Sequence, residues 1–505
     1  EICACLVGSE MCIRDSDTII AATDASREGE MLFRHLYGFL GCKQPCLRLW
    51  ISSLTDEAIT EGMANLLPCD RFDNLFLAAD SRNRADWLLG VNSSHAICKA
   101  VGFGNNSLGR VQTPVLAEIC RRYRERENHM PADSWPVFIS LCKNDRILKM
   151  RHVDDLVARR EALALYEDCK AAKNARITAV RKRTEEIGAP ALYNLAELQK
   201  DANRYHGLTA IQVQEIAQSL YEKRLISYPR TSSRLLPGDV YDTLPPVMEK
   251  MLSRKEFRQY AGMVDLDAPQ DSIGAQDTME HHAIIITGIQ PGKLGREEMQ
   301  VYTLIVGRVL ETFMPPCKVE YTTVDAVCAA RKFRIRTYRI LEKGWLGIFE
   351  REHIVAKGCM PCPMLPEFFQ EEILPVAGCS LIHKKSLPVS PYTDEELVDY
   401  MDKAGLGTVS TRTNILRTLL ERKYIRYSGK YVVPTPKGLF LYETVRGMKV
   451  ADASLTSGWE TELARIERGE LSQEEFLDGV LETVNEVTGE IFRNHPVEKR
   501  PQGTI

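Results

Sequence analysis

One arrangement near the start restricts the fold more than anything else in the chain. Residues 18–23, TIIAAT, form an apolar run of strand length, and Leu32, Phe33, Leu36, Tyr37 and Leu40 then recur at helical spacing up to a stop at Gly41. A strand running into a helix is the unit of an open α/β sheet, and such sheets bind ligands in the crevice beyond the carboxyl ends of their strands. The residues placed in that crevice are DASREGE, 24–30. Asp24 and Glu28 offer hard oxygen ligands of the kind Mg²⁺ takes, one or two carboxylates with its waters kept for phosphate. The plainer reading is a helix start whose acids favour the dipole. No capping box is present, because Ser26 is followed three residues on by Gly29, and Asp24 by Arg27.

A second stretch carries reactive groups. In LISYPRTSS, residues 225–233, Pro229 disfavours the α region for Tyr228, and the resulting extended backbone puts Tyr228 and Arg230 on one face. A phenol oxygen can attack a phosphodiester while a permanently charged guanidinium holds the phosphate oxygens where negative charge builds up. Against this, the chain has 18 tyrosines, and a Tyr-Pro pair at a turn commonly just packs.

A chain of 505 residues should hold several domains. Sixty-five Lys and Arg against 69 Asp and Glu leave a net charge of −4, so a polyanion partner would need a local basic surface. The 15 cysteines are odd in number and irregularly spaced, which predicts reduced thiols and a cytoplasmic setting. Cys359 and Cys362 form a CxxC, but the next cysteine is the lone Cys379, so a four-thiolate zinc site is not supported. No apolar run approaches a membrane span, and no secretory signal is evident. Residues 1–16 fit no helix or strand pattern leading into the 18–23 strand and resemble a translated sequencing-adapter artefact; they are expected to be non-native.

Further along, residues 55–63 predict a capped helix after the strand-like LRLWISS, and residues 82–96 a helix with Trp87 and Leu88 on its apolar side. SLGRVQTPVL, 107–116, joins a Gly turn to Arg110, Gln112 and Thr113, donors suited to phosphate and sugar. The charges of CRRYRERENH are mixed in sign, as on a solvated face. Alternating apolar and basic residues over 137–150 and 177–183 predict strands. Thr209 with Gln212 forms a capping box for a helix that delivers the chain into the Tyr228 segment. In EHHAIIIT, 280–287, His281 can donate to a phosphate, although a histidine pair before an apolar strand is often structural. Beyond it come a helix over 302–314, a second β-rich stretch to about 388, a capping box at Thr393 and Glu396, a helix restart near Thr408 and a hairpin about Ser428-Gly429. Two helices and a hairpin make a winged-helix-like DNA-binding unit, with Arg412 near a helix start. Ser472 with Glu475 caps the last helix. There is no GxxxxGK[ST] phosphate loop, so ATP hydrolysis is not indicated.

These stretches together resemble the type IA DNA topoisomerases, the topoisomerase III branch in particular. ATDASREGE is similar to the acidic metal motif of their Toprim domain, and LWISSLTDEAI, SLGRVQTPVL, LYNLAELQKDAN, ISYPRTSS, EHHAII and GLGTVSTRTNILRTLLERKYI match further motifs in the family's order. The resemblance spans about residues 17–490. It implies a multi-domain α/β and α+β toroid: a partial Toprim domain at 17–70, a winged-helix-like base at 71–127 and 389–495, a β-rich arch at 128–187 and 315–388, and a nucleophile-bearing domain at 188–314. Tyr228 would form a 5′-phosphotyrosine bond, Arg230 and His281 would contact the scissile phosphate, and Asp24 and Glu28 would hold Mg²⁺. Arg27, Arg110, Gln112 and Thr113 would touch the DNA, with Arg412 added from the base.

The implied activity is ATP-independent, Mg²⁺-dependent cleavage, passage and rejoining of single strands, relaxing negative supercoils or decatenating DNA, by a monomer in the cytoplasm. Ser26 stands where many relatives have a second Asp, His95 where they often carry Arg and Ile286 where they often have Pro. Cysteine-rich C-terminal zinc modules are not evident, and the family's first Toprim strand, with its Glu and nearby Lys, is expected before Asp24. The rival expectations are a catalytically impaired single-stranded-DNA-binding relative lacking that strand, and a Toprim nuclease or primase, which the tyrosine motif argues against.

Overall fold

The predicted strand, turn and helix open the chain in the computed structural model, which describes residues 16–51, 56–101, 106–255, 257–265, 281–409 and 411–495. The 1–16 segment, apart from Ser16, lies outside the described residues, as do the expected cap at Thr55 and Glu280 of the EHHAII stretch. Strand β1 (Ile19–Ala21) pairs in parallel with β2 (Cys46–Arg48), and β3 (Leu67–Pro68) closes the sheet antiparallel to β2. Helix α1 (Arg27–Phe39) connects the parallel strands and ends short of Gly41, whose φ of +64° reverses the chain. The expectation of reduced thiols is corrected in this unit: Cys46 and Cys69 form a disulfide, because the β2–β3 pairing brings their Cα atoms to 5.6 Å.

The helical base is assembled from distant parts of the chain. Helix α2 (Asp56–Ala64) stays with the three-stranded sheet, Gly62 lying against Leu49 and Ile51, and α3 (Asp73–Val101) then leads to α4 (Gln112–Glu127). Along α3 the buried face runs through Ala78, Ala85, Leu89, Ala96 and Ile97, at helical spacing. This corrects the expectation for Trp87, which is 64% exposed and lies off that face. Leu89, Leu116 and Ile119 share one core with Leu397, Leu416, Trp459 and Val487 from the other end of the chain.

Between these halves lies a closed barrel. The alternation over 137–150 becomes β4 (Val137–Lys143) and β5 (Arg146–His152), joined by Asn144 and Asp145 at positive φ, and the basic run becomes β6 (Asn174–Ile187). With β7 (Cys317–Cys328), β8 (Arg331–Glu342) and β9 (Ile373–Leu381), the ring runs β8, β5, β4, β9, β6, β7 and back to β8. Closure removes the exposed edges that a basic antiparallel sheet would otherwise present.

A helical unit inserted between the barrel segments carries α5 (Leu195–His206), α6 (Ala210–Glu222) and α7 (Arg296–Thr312). The Thr209–Gln212 capping box starts α6 as expected, and α7 begins six residues earlier than its apolar pattern suggests. A buried polar cluster ties this unit to the chain beside the barrel. Asp201 Oδ2 accepts from Tyr193 Oη (2.5 Å), Arg308 Nη2 (2.8 Å) and Arg351 Nη1 (2.6 Å). Arg308 also binds Glu311 at 3.1 Å. Toward the C-terminus, capping boxes start α8 (Asp394–Lys403) and α12 (Gln473–Asn494), and α9 (Arg412–Glu421) precedes the expected hairpin, whose turn falls on Gly429 at φ +59°. Helices α10 (Pro436–Val445) and α11 (Ala453–Glu467) complete the base.

Candidate active site

Tyr228 is placed by a short antiparallel zip. Ile226 bridges Ile286, the Ser227 amide donates to the Ile285 carbonyl (2.9 Å), and the Thr231 hydroxyl donates to the His281 carbonyl (2.8 Å). Ile226, Ile284 and Ile286 are buried, so the apolar run after the histidine pair anchors this register. The zip sets the Tyr228 ring 4.5 Å from that of His281, and Tyr221 of α6 meets Tyr228 edge-on at 5.4 Å.

The acidic loop after β1 faces this pair. The Asp24 carboxylate is 4.0 Å from His281 Nε2 and 56% exposed, at a cavity of about 970 Å³ bordered by Thr23, Tyr228, His281 and His282. Burial and then the Asp24 charge push the Tyr228 phenol above its ordinary pKa, against the pull of Arg230. Burial likewise holds His281 below the usual histidine value, with Asp24 opposing. At neutral pH the site therefore holds a protonated phenol and an uncharged imidazole. Among the described residues the buried Nε of Arg230 has no hydrogen-bond partner, an unmet donor beside the tyrosine.

The loop's shape depends on residues the sequence did not single out. Arg48 of β2, fully buried, donates to the carbonyls of Thr23 (2.7 Å), Ala21 (3.0 Å) and Asp24 (2.5 Å), and its Nε pairs with buried Glu30 at 3.0 Å. Gly29 is required by closeness, since a Cβ there would overlap the Asp24 carbonyl oxygen. Ser26 caps α1 through Gly29 N (3.1 Å), without a box. The only sequence cue to Arg48 was its place at the end of a strand-like run, because a buried guanidinium reads as an exposed one until its acceptors are known.

Glu28 sits at the start of α1, with Arg82 Nη2 at 2.5 Å from its Oε1. Burial raises its pKa, but the Arg82 charge and hydrogen bond outweigh this, and the carboxyl lies below the usual range. Among the described residues no group of three or more His, Cys, Asp or Glu could hold a metal ion. Asp24, open to the cavity, and the anionic Glu28 fit the one or two protein carboxylates that Mg²⁺ requires when phosphate and water complete its shell.

The other expected contacts are held inside the protein. Arg27 pairs with Glu460 (3.1 Å) and Glu467 of α11. Arg110 is 6% exposed, with Asp86 at 2.7 Å and Glu460 at 3.1 Å, and Thr113 accepts from the Gly109 amide at 3.0 Å. Gln112 packs over Gly109. Arg412 pairs with Asp402 at 2.7 Å. Arg27 and Arg110 thus meet at Glu460, whereas Arg412 is held apart from them on α9.

The profile of the DNA topoisomerase family matches residues 70–478. DNA topoisomerase 3 of Bacillus licheniformis is 30% identical over 516 residues, covering 96% of this chain and 70% of the relative. The Bacillus subtilis protein of the same name is 29% identical with the same coverage. Full-length topoisomerase I from Thermotoga maritima superposes with a TM-score of 0.76 at 21% identity, over 96% of this chain and 80% of that one. Family profile and relatives together define an isomerase that changes DNA topology. The chain belongs to the type IA DNA topoisomerase family, in its topoisomerase III branch.

Proposed function

We propose that Tyr228 is the nucleophile that cleaves and rejoins one DNA strand, and that Arg230 and His281 contact the scissile phosphate. The observation that carries this reading is the zip that presents Tyr228 between His281 and the Asp24 loop. The tyrosine oxygen forms a bond to phosphorus and loses its proton, the bond to the 3′ oxygen breaks, and that oxygen takes up a proton. The 5′-phosphotyrosine keeps the energy of the broken diester, so the reverse reaction reseals the strand without a nucleotide. Arg230, with its unmet Nε, is suited to the phosphate oxygens as charge builds up.

Asp24 and Glu28 would hold Mg²⁺, which supplies positive charge near the phosphate. Arg27, Arg110, Gln112, Thr113 and Arg412 would reach DNA only after their internal pairs open, which fits a protein that separates its parts to pass a strand. The open sheet of β1–β3 serves as the Toprim unit, the inserted helices as the nucleophile domain, the barrel as the arch, and α8, α9 and their hairpin as the winged-helix-like base. The protein acts as a monomer in the cytoplasm on single-stranded regions of negatively supercoiled DNA. Among the described residues no helix is long and apolar enough to cross a membrane.

Tyr228→Phe tests the assignment. It removes one oxygen, so the covalent adduct with a labelled single-stranded oligonucleotide should vanish on denaturing gels while binding of that oligonucleotide persists. An adduct surviving in this variant would place the nucleophile elsewhere.

A further inference from the structure

The Cys46–Cys69 disulfide lies two residues along β2 from Arg48, whose guanidinium holds the acidic loop. β2 and β3 meet over only two residue pairs, Leu47 with Pro68 and Arg48 with Leu67, and the sulfur bridge is the covalent end of that short ladder. Beyond Arg48 the same two segments touch again, where the Trp50 and Phe72 rings stack at 4.6 Å.

Two routes lead from the bridge to the loop. Along β2, Arg48 donates to the carbonyls of Ala21, Thr23 and Asp24. From the other sulfur, the Cys69 carbonyl accepts from Arg34 Nη2, Arg34 Nε holds Glu30 at 2.8 Å, and Glu30 holds Arg48 at 3.0 Å. Glu30 is thus shared by the two arms, with one half-cystine at the base of each. Opening the bridge releases both arms together, leaving two backbone pairs and one ring stack to keep their register.

The two half-cystines differ in access. Cys69 is 6% exposed whereas Cys46 is half-buried, so an incoming thiolate reaches Cys46 first. Ten other cysteines among the described residues remain free thiols, so the fold selects this pair for oxidation. In the cytoplasm a disulfide is usually transient, catalytic or redox-sensing, because the thiol pool keeps cysteines reduced.

We propose that Cys46 and Cys69 form an exchange site for a low-molecular-weight thiol, through which cellular redox state sets how firmly the Asp24 loop is held; the inference rests on the cytoplasmic topoisomerase reading. The small thiolate attacks Cys46 Sγ, the bond to Cys69 breaks, and Cys69 leaves as a thiolate that takes up a proton. A second small thiolate attacks the sulfur now bonded to Cys46, which leaves and takes up a proton in turn. Two electrons reach the protein, and two small thiols have become one disulfide. The reverse sequence restores the bridge, with that small disulfide as the oxidant.

The test equilibrates the full chain over a series of ratios of reduced to oxidised glutathione, then alkylates it and maps residues 46 and 69 by mass spectrometry. Amide hydrogen exchange over residues 22–30 and single-turnover adduct formation on a single-stranded oligonucleotide are followed at each ratio. The pair should open and reclose reversibly, and opening should speed exchange in the loop. The adduct should then form about tenfold more slowly, short of the roughly 10² that a full ångström of displacement costs. The double variant Cys46→Ser with Cys69→Ser should show the faster exchange at every ratio and no response to glutathione. A bridge that survives excess reduced glutathione in the folded protein, or one that opens with loop exchange unchanged, would overturn the proposal. If no adduct forms at any ratio, the Tyr228 assignment fails, and loop exchange still decides the role of the bridge.

Discussion

At the scale of single residues, the acidic loop is held by two features that leave little slack. Replacing Gly29 by Ala would force its backbone away from the Asp24 carbonyl and shift the Asp24 carboxylate relative to Tyr228. Because displacement of a reacting group by an ångström can cost about 10² in rate, Gly29→Ala should slow cleavage by that order, read as single-turnover adduct formation. Arg48→Met would take one of the two guanidiniums from the buried Glu30, leaving Arg34 alone on it at 2.8 Å; breaking a buried pair costs up to about 3–5 kcal/mol, and the midpoint of urea unfolding should fall. His282 makes a prediction about pH. Its Nδ1 lies 2.8 Å from the Ala283 carbonyl and must carry the proton there, and burial holds the ring below the ordinary histidine value, the carbonyl opposing. The unfolded chain therefore binds the extra proton more readily. The stability His282 contributes is fully present above about pH 6.5 and is lost as pH falls toward the depressed folded value. Melting temperature should drop below pH 6.5 more steeply in the parent than in His282→Gln.

At the scale of elements, the polar cluster about Asp201 is the joint between the inserted helices and the chain beside the barrel. Arg351→Met would remove one of two guanidiniums on the Asp201 carboxylate and leave that charge undercompensated among buried groups. A loss of about 3–5 kcal/mol is expected in equilibrium unfolding, and partial recovery in the double variant with Asp201→Asn would confirm that the pair acts as a unit. Little of this joint was legible beforehand. Capping boxes at Thr209, Thr393 and Ser472 and the alternation that became β4 and β5 could be read directly, because each is encoded within a few adjacent residues. Tyr228, Arg230 and His281 were legible as reactive types in ordered motifs. Arg48, Gly29 and Asp201 were not, because their roles arise from partners 5 to 150 positions away, and the exposure of Trp87 depended on which face of a long helix found a core.

At the scale of the whole molecule, the helical base is completed by distant parts of the chain, with the barrel and the inserted helices carried between them. Cutting the chain after Ala451 should therefore expose the face of α3 that packs on α11 and α12. Limited proteolysis of that truncated protein should cleave within residues 73–127 while the barrel strands stay protected. The same arrangement governs how the protein is made. Leu89, Leu116 and Ile119 leave the ribosome roughly 270 residues before their partners begin at Tyr392, which at about 5–20 residues per second is a wait of roughly 15–55 s. During that interval the barrel and the inserted helices can close on partners already synthesised, but the apolar faces of α3 and α4 cannot. Newborn chains arrested before Tyr392 should thus present a sticky helical segment to chaperones, and synthesis in a chaperone-depleted extract should lower the yield of full-length folded protein more than that of the inserted units alone.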